Sequence, residues 1–140
     1  MRRSIGAVLV ALLVACGGDA TGPNASVAGS YSLKTVNGAN VPVVVFQDAQ
    51  EKDELTAGNI SLSTNNSWTG TLTVRFTDLS NGASDTETAP AHGTYTTSGS
   101  SITLTDALDG SQLTGSVASG TLTITGDIGL GTPITLVFKR

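Results

Sequence analysis

Between residues 67 and 76, apolar and polar side chains take strict turns. Trp68, Gly70, Leu72, Val74 and Phe76 fall on one side, and Ser67, Thr69, Thr71, Thr73 and Arg75 on the other. A period of two is that of an extended strand with one dry face and one wet face. The same rhythm returns at Ile102 and Leu104 against Thr103 and Thr105, and at Leu122 and Ile124 against Thr121, Thr123 and Thr125. It closes the chain at Ile134, Leu136 and Phe138. Threonine, β-branched, suits the wet positions of a pleated sheet. No stretch sustains a helical 3.6-residue period, so the chain is expected to be all-β. The polar segment 48–55 admits one short helical turn.

Turn signals separate the alternating stretches. Asn37-Gly38 is the strongest, because both residues tolerate positive φ. Asn65-Asn66, Asn81-Gly82, Ser98-Gly99, Asp109-Gly110 and Ser119-Gly120 follow. The expected strands are 30–36, 41–47, 54–62, 67–78, 83–97 (interrupted at Pro90), 101–106, 112–118, 121–126 and 133–139. Pro42 and Pro133 fall near strand starts, where a missing N–H is tolerated. Eight or nine hairpin-linked strands must hide their edges. A single antiparallel up-and-down β-barrel does so, and a two-sheet β-sandwich is the alternative. A barrel of about eight strands is either filled by side chains or holds one small ligand.

The chain begins differently. Met1-Arg2-Arg3 is a positive segment, and 5–15 is an unbroken run of apolar residues and glycine. That length fits a signal peptide and is too short to span a bilayer. The run ends in Leu13-Val14-Ala15-Cys16, followed by Gly17-Gly18. This resembles the lipobox of bacterial lipoproteins. The resemblance implies cleavage before Cys16, a diacylglyceryl group on its thiol and an anchor in the cell envelope. Gly17 in place of Asp favours the outer membrane by the sorting rule of that family. One acyl chain holds a protein only marginally, whereas two or three hold it stably. Residues 16–26, rich in Gly, Pro and small polar side chains, read as the acylated cysteine and a flexible tether. One domain, 27–140, follows.

Cys16 is the single cysteine, so the core must hold without an internal disulfide. Removal of 1–15 leaves five basic residues against eleven acidic, a net charge of −6. Such a chain has no basic patch for nucleic acid. An anionic bilayer would repel it too, which gives a covalent anchor a physical use.

Gly29-Ser30-Tyr31 opens the first strand, Leu33-Lys34-Thr35-Val36 continues it, and Gly93-Thr94-Tyr95 recurs mid-chain. Ser101-Ile102-Thr103-Leu104 follows, and the end is Leu136-Val137-Phe138-Lys139-Arg140. This layout resembles the lipocalin-like bacterial lipoproteins, small β-barrels on an acylated tether. Typical lipocalins begin Gly-x-Trp, with a late Arg packed over the Trp. Here Tyr31 stands in the Trp position and Arg140 is the last residue.

Residue types able to carry chemistry are few. His92 is the single histidine. It lies between Pro90 and Gly93 without partners at catalytic or ligand spacing, and is expected in a solvated bend. There is no nucleophile elbow and no recognisable triad. Asp48, Glu51, Asp53 and Glu54 cluster around Lys52 but lack a calcium-loop pattern, and read as a charged hairpin tip. Asp106 and Asp109 flank a turn. The expectation is therefore no catalytic set, no metal site and no cofactor. Tyr31, Trp68, Leu72, Val74, Phe76, Tyr95, Leu104 and Phe138 are the candidates for a ligand pocket or a plain core.

Two functions follow. The first is a non-enzymatic binding module that holds a small apolar or amphipathic ligand in the envelope. The alternative is an interaction lipoprotein with a filled barrel, displaying its surface to an envelope protein. A transmembrane barrel would need aromatic girdles, and aromatics make up only 4% of the chain.

Overall fold

In the computed structural model, which describes residues 27–140, the alternating stretches are strands of one antiparallel sheet. The expected signal peptide 1–15, Cys16 with its lipobox partners and the tether 16–26 lie outside the described residues. The strands are β1 (Gly29–Val36), β2 (Ala39–Asn40), β3 (Val43–Gln47), β4 (Glu51–Leu62) and β5 (Ser67–Asp78). They continue with β6 (Ser84–Ser98), β7 (Ser101–Asp106), β8 (Gln112–Ala118), β9 (Thr121–Gly126) and β10 (Ile134–Lys139).

From β4 to β10 each strand pairs with the next. Then β10 pairs with β1, Leu33 opposite Phe138, and β1 pairs with β4, Tyr31 opposite Ile60. The ring is complete. The protein is an eight-stranded antiparallel up-and-down barrel with two additional short strands. Closure removes the free edges that a two-sheet sandwich would keep, so that alternative is set aside.

The two ends of the barrel differ. At the closed end, tight turns join β6 to β7 and β8 to β9. Ser119 and Gly120 take φ of 51° and 75° there, as the hairpin twist demands. Tyr31, Tyr95, Ile102, Leu122 and Phe138, each about 1% exposed or less, pack this end shut. At the open end, β1 and β4 diverge. β2 folds back on β1 through Asn37-Gly38, and β3 runs along the first half of β4. β4, β5 and β6, of 12, 12 and 15 residues, rise past the rim as a wing.

Three local expectations need correction. The strand expected at 41–47 begins only at Val43, as β3, and a separate two-residue β2 precedes Val41-Pro42. The polar segment at 48–55 has no helical turn. Asp48 instead accepts hydrogen bonds from the Gln50 and Glu51 amides at 2.7 and 2.8 Å, which turns the chain so that β4 starts at Glu51. Pro90 does not interrupt β6. β7 pairs with β6 only from Gly93 onward, so Pro90 lies where that side of the strand has no neighbour and needs no N–H. His92 accordingly sits exposed on a strand rather than in a bend.

Gly93 and Gly115 mark where a neighbouring strand passes through the space of a side chain. A Cβ at Gly93 would overlap the Thr105 carbonyl oxygen, and one at Gly115 the Thr123 carbonyl oxygen. Backbone approaches backbone so closely at these two positions that no side chain fits.

Candidate functional site

The period-two pattern sends one side chain in two to the barrel axis, and the bulk of those side chains is uneven. Toward the closed end they are large. Toward the open end, β5 and β6 present Gly70, Ala89 and Ala91, which register places beside one another and beside Leu72. Small residues there leave space. A cavity of about 590 Å³ occupies the open half of the barrel. That volume falls within the range of small-molecule sites.

The floor and walls are apolar. Trp68, Leu104 and Phe138 are buried and face the cavity from the closed side, with Ile124 and Leu136 beside them and Leu72 higher on the wall. The Trp68 indole N–H donates to the Thr105 carbonyl oxygen at 3.2 Å, which satisfies its one polar atom and fixes the ring. The mouth lies between the β7–β8 and β9–β10 connections. Leu108 and Ile128 come to it, Leu108 almost fully exposed at 92%.

Three carboxylates share the mouth: Asp106, Asp109 and Asp127. Each uses one oxygen to hold its own loop. Asp106 accepts from the Leu108 amide at 2.6 Å, and Asp109 from the Ser111 amide at 2.8 Å. Asp127 accepts from the Gly129, Leu130 and Gly131 amides at 2.8, 2.8 and 3.1 Å. The Ser111 amide and side chain hold the Asp109 carboxyl below its ordinary pKa. None of the three has a Lys, Arg or His partner among the described residues.

The eight aromatic and aliphatic candidates from the sequence separate into three groups. Trp68, Leu72, Leu104 and Phe138 line the cavity. Tyr31 and Tyr95 are seals of the closed end. The Tyr31 hydroxyl donates to the Val27 carbonyl oxygen at 2.6 Å, and the Tyr95 hydroxyl to that of Ser63 at 2.7 Å. Burial, and then the nearby Tyr31, raises the Tyr95 pKa. Val74 packs on the margin of the core, while Phe76 sits out on the wing beside a separate hollow lined by Glu51, Asp78 and Asp85. The alternation that placed Phe76 on the apolar face was read correctly, but β5 outruns the barrel, and its last inward positions have no interior to enter.

Other parts of the cavity carried a fainter signal. Ala89 and Ala91 share a face with Gly93 and Tyr95, a two-residue pattern masked by Pro90. Ile128 and Leu108 sit in turn sequences with no period to mark them.

On the opposite face of the wing, Glu54 accepts from Arg75 Nη2 at 2.6 Å and Nε at 3.0 Å, and lies 3.3 Å from Lys52 Nζ. The Arg75 hydrogen bonds hold the Glu54 carboxyl below its ordinary pKa against the contrary effect of burial. Both Arg75 nitrogens and the Lys52 ammonium converge on one oxygen, Glu54 Oε2, which ties β4 to β5 rather than offering free charge to a ligand.

No family model matches the chain, and no curated protein proves similar to it.

Proposed function

We propose that this chain is a non-enzymatic binding module of the bacterial cell envelope. Cys16 anchors it by lipid, and the barrel cavity holds a small apolar or amphipathic molecule. The observation that carries the reading is the hollow of about 590 Å³ walled by Trp68, Leu72, Leu104, Ile124 and Leu136. An apolar cleft of this size that opens at one end of a rigid barrel is the ordinary form of a small-ligand site. The alternative of a purely displaying barrel rests on an interior filled by side chains, which the hollow disfavours.

The address comes from the lipobox-like Leu13-Val14-Ala15-Cys16. β1 begins at the closed end, so the tether joins the barrel at the end opposite the mouth.

Two measurements test the reading. Clickable palmitate should label the chain in cells and should fail to label Cys16→Ala. Trp68, the single tryptophan, should change its emission when an uncharged apolar probe is titrated in. A chain that takes up no palmitate loses the anchor, and a Trp68 signal indifferent to every apolar probe removes the binding function.

A further inference from the structure

We propose that the cavity selects amphiphiles with a cationic head: a hydrocarbon body in the barrel and a positive group at the mouth. This inference rests on the binding function proposed above and adds the charge of the ligand.

The walls are hydrocarbon, and the charged side chains at the mouth, Asp106, Asp109 and Asp127, all have the same sign. The cations of the described residues are elsewhere. Lys52 and Arg75 are committed to Glu54 on the other face of the wing. Lys139 and Arg140 end the chain at the closed end, and Lys34 is exposed on β1. Asp85 and Glu87 extend the acidic character upward. Register puts them opposite Phe76 and Val74, on the wing face that continues the barrel interior. The charged side chains that line the mouth are thus all acidic, and no described cation lines it. Like-charged groups around a low-dielectric opening focus the field and raise the local concentration of opposite charge. A carboxylate or sulfate head would be repelled at the step where it must sit among three carboxylates. An ammonium head would be attracted while its chain enters the apolar hollow.

The experiment uses the full chain with Cys16→Ser and reads Trp68 emission. Decyltrimethylammonium, decanol and decanoate are titrated below their micelle concentrations at low ionic strength. The expected result is that decyltrimethylammonium binds about tenfold tighter than decanol and decanoate weaker still, with the spread narrowing as salt is raised. In a chain carrying Asp106→Asn, Asp109→Asn and Asp127→Asn, the ratio of decyltrimethylammonium to decanol affinity should fall to about one. Asparagine keeps an oxygen for the loop amides, and an unchanged emission spectrum without ligand verifies the fold. Equal affinity for the three heads, a preference for decanoate, or a preference untouched by the triple substitution overturns this inference and leaves apolar binding standing. Failure of all three probes to bind overturns both.

Discussion

The Arg140 guanidinium lies 4.9 Å from the centroid of the Tyr31 ring, and its Nη2 donates to the Tyr31 hydroxyl at 2.8 Å. The same nitrogen donates to the Ala28 carbonyl oxygen at 2.7 Å. The last residue of the chain thus covers the first strand where β1 and β10 close the barrel. Cation–π attraction and a shared hydroxyl make the two side chains one unit. Arg140→Ala and Tyr31→Leu should therefore be non-additive in urea denaturation, with a coupling of about 0.5–1 kcal/mol. Arg140→Lys should not restore it fully, because a point charge lacks the planar stacking surface. Additivity of the two single losses would show that the contact contributes nothing.

The resemblance to lipocalins, with Tyr31 in the Trp position and Arg140 last, hinted at that pairing without predicting it. The strands themselves were legible because alternation survives wherever one face is buried, as from Trp68 to Val74 and from Ile134 to Phe138. It misled at Phe76, because how far a strand runs past its neighbours depends on the lengths of other strands. It also misled at Pro90, because an imino acid breaks a strand only if a partner needs its N–H. Four residues of the cavity wall, Trp68, Leu72, Leu104 and Phe138, were legible as apolar faces, but the empty space between them was not. It depends on Gly70, Ala89 and Ala91 meeting across β5 and β6, a coincidence of register between residues about 20 apart.

Gly93 offers a sharp test of the barrel wall. Its missing side chain is what lets Thr105 O approach, and the Trp68 indole lies 2.9 Å from where a Cβ would stand. Backbone cannot yield as a flexible side chain can. Gly93→Ala should cost about 3 kcal/mol or more and should disturb Trp68 emission. Thr94→Ala, the neighbouring exposed position, should change stability by less than about 1 kcal/mol. Equal midpoints for the two variants in urea would contradict the close approach.

Filling the hollow separates binding from folding. Ala91 is partly buried on the cavity wall. Ala91→Leu adds apolar volume where space exists, so it should leave the thermal midpoint equal or higher. Affinity for decanol should fall at least about tenfold, because the ligand and the new side chain compete for the same volume. Undiminished decanol binding would place the ligand outside the barrel.

Stability should fall at both extremes of pH. Arg75 lowers the Glu54 pKa, the amides of Gln50 and Glu51 lower that of Asp48, and the Ser80 hydroxyl and amide lower that of Asp78. Each carboxyl titrates lower when folded than when unfolded, so between the two values the unfolded state binds more protons. The stabilisation is therefore full above about pH 5 and declines as pH falls through about 4 toward the depressed folded values. Tyr95 acts in the opposite sense. Burial raises its pKa, so its contribution is full below about pH 10 and fades as pH climbs through the raised folded value. Thermal unfolding followed by circular dichroism should show a broad plateau with a loss on each side. Glu54→Gln should flatten part of the acid limb, and an unchanged limb would exclude Glu54 as a contributor.

Asp53 is the anomaly on the wing. It stands in register between Phe46 on β3 and Phe76 on β5, and its Oδ1 is buried without a hydrogen-bond partner. A carboxylate oxygen removed from water and given nothing in return opposes folding. Phe46 is itself half exposed, at 46%, so a larger apolar neighbour would gain contact area there. Asp53→Val supplies a β-branched side chain suited to a strand and removes the stranded acceptor. It should raise unfolding stability by about 1 kcal/mol in urea, whereas Asp53→Asn, which keeps a polar group in the same place, should gain less. A loss of stability in the valine variant would mean that Asp53 holds the wing through a contact its aromatic neighbours do not account for.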